Sequence, residues 1–179
     1  MRLVKVATCA LNQWSLDFDG NTARILESIR EAHKEGARLR CGPELEICGY
    51  GCLDHYLEND LYEASLECLA KIIQESPEDM LLDIGLPFKF RDVRYNCRAI
   101  IYNKRLVLIR PKMFLANDGN YREMRYFTPW PRKKTQKFIL PKILRDVVGH
   151  TECIFGDALI DTLDTCVSYS LGAYAAPSV

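Results

Sequence analysis

The sequence predicts a layered α/β fold, on three observations. Short runs rich in Val, Leu and Ile are separated by longer segments whose apolar residues recur at helical spacing. Strand-like and helix-like segments alternate through the first half of the chain, the order that builds sheets covered by helices. A hairpin signal, Asn103-Lys104-Arg105 between two apolar runs, then adds antiparallel strands.

Residues 3–10 form a nearly continuous apolar run, which predicts a strand buried on both faces. Asn21 is expected to cap a helix that continues to about Glu35, with Ile25, Ile29 and Ala32 as its apolar stripe and Gly36 as its stop. Residues 37–41 predict a short strand ended by Gly42-Pro43. A second helix is expected over residues 59–75, where Leu61, Ser65, Leu69 and Ile73 are spaced four apart, closed by Pro77. Residues 80–86 predict a third strand, and residues 95–102 and 106–110 the hairpin. Pro111 should end the hairpin, because proline donates nothing to a ladder. Residues 114–137 are polar and show no period. A short helix is expected over 141–148, with a strand-like stretch before Asp164.

The length, 179 residues, suits one domain or the first part of a larger one. Lys and Arg together number 24, as do Asp and Glu, so no net field draws the chain to nucleic acid or anionic lipid. The apolar N-terminal run is broken by Lys5 and lacks a small-residue cleavage site, so it reads as a strand rather than a signal peptide. No run has the length of a membrane span, and a cytoplasmic protein is expected. The eight cysteines lie partly inside apolar runs and are expected to be reduced thiols. Cys48, Cys52 and His55 superficially suggest a metal, but no motif supplies further ligands, and no metal is expected. Arg132-Lys133-Lys134 reads as a solvated loop, and no P-loop or GxGxxG fingerprint is present.

Two charges stand at predicted strand ends, where open α/β sheets usually present their ligand sites: Glu44, after Gly42-Pro43, and Lys112, after Pro111. Hydrolysing an amide needs a nucleophile, a base to take its proton, and stabilisation of the developing oxyanion. A glutamate beside a lysine and a thiol would supply all three. The spacing of Glu44 and Lys112 alone does not name that reaction.

The segments that carry these two residues, GARLRCGPELEICGYG and YNKRLVLIRPKMFLANDGNYRE, resemble those delivering the catalytic Glu and Lys in the nitrilase superfamily of carbon-nitrogen hydrolases. Together with VATCALNQWSLDFDGN, PELEICGYGCLDHY, RYNCRAI, GNYREMRYFTPW and IFGDA, they resemble the N-terminal glutaminase domain of the eukaryotic glutamine-dependent NAD synthetase family. The likeness runs almost continuously from Lys5 to about Val167. It implies an α-β-β-α sandwich that hydrolyses glutamine with a Glu-Lys-Cys triad. Ammonia would pass to a separate synthetase domain, which uses ATP and magnesium to amidate nicotinic acid adenine dinucleotide. On the same resemblance Glu44 is the general base, Lys112 the electrostatic stabiliser, and Tyr50 and Tyr121 lie at the glutamine pocket.

The likeness also implies where the pattern departs. The family continues to its nucleophilic Cys within a segment of the type GSEICEELW, whereas here Asp164-Thr165-Cys166 is followed by VSYSLGAYAAPSV. The nucleophile's place falls on Gly172, and Cys166 is six residues out of register. The expectation is a partial nitrilase-like domain over residues 1–167 with a divergent, uncharged tail over 168–179. This chain carries no cofactor of its own on that reading and is inactive alone. Two alternatives stay open. One is a non-enzymatic partner of full-length synthetase subunits or of a second copy of itself, and the other a stand-alone thiol amidase.

Overall fold

The computed structural model describes residues 3–131, 133–162 and 165–167. Seven strands form one mixed sheet in the order β1-β2-β3-β4-β5-β7-β6. They are β1 (Val6–Thr8), β2 (Leu39–Cys41), β3 (Leu81–Phe90), β4 (Val93–Tyr102), β5 (Arg105–Pro111), β6 (Thr135–Ile139) and β7 (Glu152–Gly156). Helices α1 (Phe18–Lys34), α2 (Asn59–Glu75) and α3 (Lys142–Val148) pack in sequence against one another, and β8 (Ile160–Asp161) with β9 (Cys166–Val167) forms a separate antiparallel ribbon.

Side chains alternate along the long central strands, so each strand writes both faces of the sheet. Leu82, Ile84, Leu86, Phe88 and Phe90 of β3 join Tyr95, Cys97, Ala99 and Ile101 of β4 in the main core. Ile25 and Ile29 of α1, Leu69, Ile72 and Ile73 of α2, and Leu144 and Val148 of α3 close over them. Burying each of the larger groups stabilises the fold by roughly 1.5–3 kcal/mol. The opposite face carries Asp83, Arg98, Arg110 and Lys112, beside a small apolar cluster of Ile100 and Leu108 under the β8–β9 ribbon. Three helices on one face of a sheet make one α-β half of the expected sandwich.

Several sequence expectations need correction. Residues 3–10 yield only a three-residue strand, and Leu3, Val4 and Val6 are exposed. β1 lies at the sheet edge, so its apolar run is not covered on both faces as expected. The cap of helix α1 lies four residues before the expected Asn21: it is Asp17, its carboxylate accepting from the Gly20 amide. Asn21 is instead fully buried within the first turns, where its side chain bonds the backbone of Trp14 and Ile47. Strand β3 runs on through Pro87 to Phe90, beyond the last residue that β2 pairs, Asp83. The polar stretch 114–137 hides the start of β6. Helix α2 spans Asn59–Glu75 and the Asn103-Lys104 turn joins β4 to β5, both as expected. Asp164, Gly172 and the tail from 168 lie outside the described residues.

Candidate active site

Glu44 sits on the loop that leaves β2, and that loop is held from both faces of the sheet. On the helix side, the fully buried Arg40 makes two parallel contacts of 2.8 Å with the Glu46 carboxylate, and its Nε and Nη2 also bond Ser28 Oγ. Burial opposes the Arg40 charge, but Glu46 outweighs it and holds the guanidinium above its ordinary range. On the other side, Arg98 donates to the carbonyls of Pro43 at 2.7 Å and Gly42 at 2.8 Å while pairing with Asp83 at 2.5 Å. Glycine is required at two places by this crowding. A Cβ on Gly42 would fall 2.0 Å from the Glu46 carboxylate, and one on Gly85 2.5 Å from the Pro43 carbonyl. Leu45, next to Glu44, has φ 52°, an unfavourable region for a bulky residue. Its buried side chain, packed with Tyr56, Leu61, Tyr62 and Phe127, holds it there.

Lys112 arrives from the other direction, one residue beyond β5. Its amide donates to the Asn96 carbonyl on β4 at 2.8 Å, and its own carbonyl accepts from Trp130 at 3.0 Å. Its side chain is only 2% exposed, and the ammonium reaches Glu44 Oε1 at 2.7 Å. The same nitrogen contacts Glu123 at 2.8 and 3.0 Å, so its three N–H groups face three carboxylate oxygens. Asn96 Nδ2 donates to both acids, Glu44 Oε1 and Glu123 Oε1, while its Oδ1 has no partner among the described residues. Glu123 is fastened by the Ala116 amide and donates its own amide back to Ala116. Two carboxylates therefore share one buried cation, and only Glu44, at 25% side-chain exposure, opens toward solvent.

Sequence reasoning named Glu44 and Lys112, and the fold brings them into contact across 68 residues of chain. Tyr50 and Tyr121 are both about half exposed. Partial burial, then the charges of Glu44 and Glu123 and the Tyr121 group, push the Tyr50 phenol upward. Glu123, Asn96, Arg40 and Arg98 went unmarked. Asn96 and Arg98 left a signal, since with Arg94 they place polar residues at every second position through the first half of β4. Glu123 left none in a segment without periodicity. Among the described residues, no group of three or more His, Cys, Asp or Glu is arranged to hold a metal ion. His55 instead pairs with Glu58 at 2.9 Å.

The carbon-nitrogen hydrolase family model matches residues 5–174. The chain belongs to the carbon-nitrogen hydrolase family. It is 56% identical over 169 residues to the glutamine-dependent NAD(+) synthetase of Bos taurus, covering 93% of this chain and 24% of that protein. The Saccharomyces cerevisiae enzyme of that name is 54% identical over 167 residues, covering 92% and 23%. The chain thus spans about a quarter of the length of the curated relatives it matches. Among solved structures, the glutamine-dependent NAD(+) synthetase of Cytophaga hutchinsonii superposes with a TM-score of 0.83 at 32% identity, covering 92% of this chain and 27% of that one. An amidase from Nesterenkonia sp. shares the fold of this chain at a TM-score of 0.62 and 19% identity, covering 78% of this chain and 52% of its own.

Proposed function

We propose that this chain forms the glutamate- and lysine-bearing part of a glutamine-hydrolysing site of the glutamine-dependent NAD synthetase type. The observation that carries this reading is the 2.7 Å contact between the buried Lys112 ammonium and the partly open Glu44 carboxylate. In that role Glu44 takes the proton of an attacking thiol and later activates water. Lys112, held by Glu123 and only 2% exposed, stabilises the negative charge that develops on the carbonyl oxygen of the attacked amide. Tyr50 and Tyr121, both about half exposed, would border the substrate. ATP and magnesium, which the family uses in a separate synthetase domain, have no part in the steps assigned to these residues.

The nucleophile's place falls on Gly172, outside the described residues. The nearest thiol in sequence before Glu44 is a poor substitute: Cys41 faces Asp83 at 3.2 Å, and burial together with that carboxylate pushes it up to about 11. The chain alone is therefore expected to release no ammonia from glutamine above a Glu44→Ala control. Loss of a nucleophile costs on the order of a millionfold in kcat. Glutamine is nevertheless expected to bind. Titrating it into labelled protein should move the NMR signals of Glu44, Tyr50 and Tyr121. Signals that stay fixed there at millimolar glutamine would overturn the reading.

A further inference from the structure

Beneath the exposed turn at Tyr50 and Gly51 lie two thiols that the amide chemistry does not use. Cys48 and Cys52 are both buried, and each sulfur is 3.3 Å from the same oxygen, the Gly49 carbonyl. The two sulfurs are thus separated by no more than twice that distance. The Tyr56 hydroxyl donates to this oxygen as well, at 3.2 Å, and the Phe127 ring packs on Tyr56 at 4.8 Å. The surroundings are otherwise apolar, from Leu45, Leu61 and Tyr62. Tyr50, Gly51 and Leu53 on the chain around them are exposed, so a small polar oxidant has one layer of residues to cross.

We propose that Cys48 and Cys52 form a peroxide-sensitive pair that closes to a disulfide across the turn bearing Tyr50. The pair is chemically unequal. A hydrogen bond from Cys48, more than the opposing burial, pulls Cys52 down to about 7, whereas burial pushes Cys48 well up. Cys52 is therefore the attacking sulfur and Cys48 the resolving one. The Cys52 thiolate attacks one oxygen of hydrogen peroxide, the O–O bond breaks, and the departing hydroxide takes a proton from solvent. Cys52 is now a sulfenic acid. The Cys48 sulfur then attacks the Cys52 sulfur, the S–O bond breaks as the S–S bond forms, and the Cys48 proton leaves with the hydroxyl as water. Two electrons pass from the two sulfurs to one peroxide, which becomes two waters. The proposal concerns thiol chemistry and stands apart from the glutamine reading.

Cleavage after glutamate isolates residues 47–58, which contain these two cysteines alone. After treating the folded chain with hydrogen peroxide and alkylating free thiols, this peptide should lack both alkyl groups and regain them on reduction. With dimedone present, Cys48→Ser should trap an adduct on Cys52, and Cys52→Ser should trap none on Cys48. The rate should climb as pH rises through about 7, where Cys52 loses its proton. Full alkylation of the wild-type peptide after peroxide, when exposed Cys166 has already been oxidised, would overturn the proposal. So would a dimedone adduct on Cys48 in place of Cys52.

Discussion

Lys112 and Glu44 touch, yet they differ in what their loss should do. Lys112 pairs with two carboxylates in a pocket where it is 2% exposed, and removing one partner of a buried pair typically costs about 3–5 kcal/mol. Lys112→Ala should therefore lower stability by about that amount in a urea melt. Glu44→Gln leaves Glu123 to balance the ammonium and keeps an acceptor at a partly open position, so it should cost under about 1.5 kcal/mol. If the two variants melt alike, the shared-cation description is wrong. A pH effect belongs to this scale too. The Glu58 carboxylate, hydrogen-bonded to His55, raises that imidazole above its ordinary 6.5. A raised folded value means that the contribution to stability is full below 6.5 and is lost as pH rises through the folded value. An NMR titration of His55 should show a midpoint above 6.5 that returns toward it in Glu58→Gln.

At the scale of elements, the site depends on how closely the loop after β2 crosses β3. The crossing passes over Gly85, where a Cβ would meet the Pro43 carbonyl at 2.5 Å and the Leu45 amide nitrogen at 2.6 Å. Both are backbone atoms, so neither can swing aside. Gly85→Ala should destabilise by about 1–3 kcal/mol through overpacking and displace Glu44 from Lys112, visible as shifted NMR signals at both residues. The same change without movement at Glu44 would mean that the loop has slack. Helix α1 offers a second check: Asp17→Ala removes its cap and should cost about 0.5–2 kcal/mol. These features were half legible. The Gly42-Pro43 break announced the loop, but the two arginines that clamp it come from different strands, and nothing local in the sequence pairs Arg40 with Glu46 or Arg98 with the Pro43 carbonyl.

For the whole molecule, the described sheet ends on β1 and β6, and among the described residues no further strand pairs their outer edges. Leu3, Val4 and Val6 lie exposed at or beside the first edge, and Ile139 lies exposed on the last. Unpaired edges with apolar side chains favour association with other chains. The isolated chain is expected to self-associate as its concentration rises, measured by light scattering behind size-exclusion chromatography. A monomer at all concentrations with one cooperative denaturant transition would show that these edges are protected.

Sequence by itself determined the α/β class, helix α2 and the β4–β5 hairpin, and it singled out Glu44 and Lys112 as a candidate pair, because each rests on local periodicity, a turn signal or a short segment. Tertiary structure decided the rest. It turned the first apolar run into an exposed edge, moved Asn21 from a cap to a buried bracket between loops, and placed Glu123 and Asn96 against residues distant in the chain. The physical reason is that burial and charge pairing depend on which strands become neighbours, and neither a strand's place in the sheet nor a carboxylate's partner is written in the residues beside it.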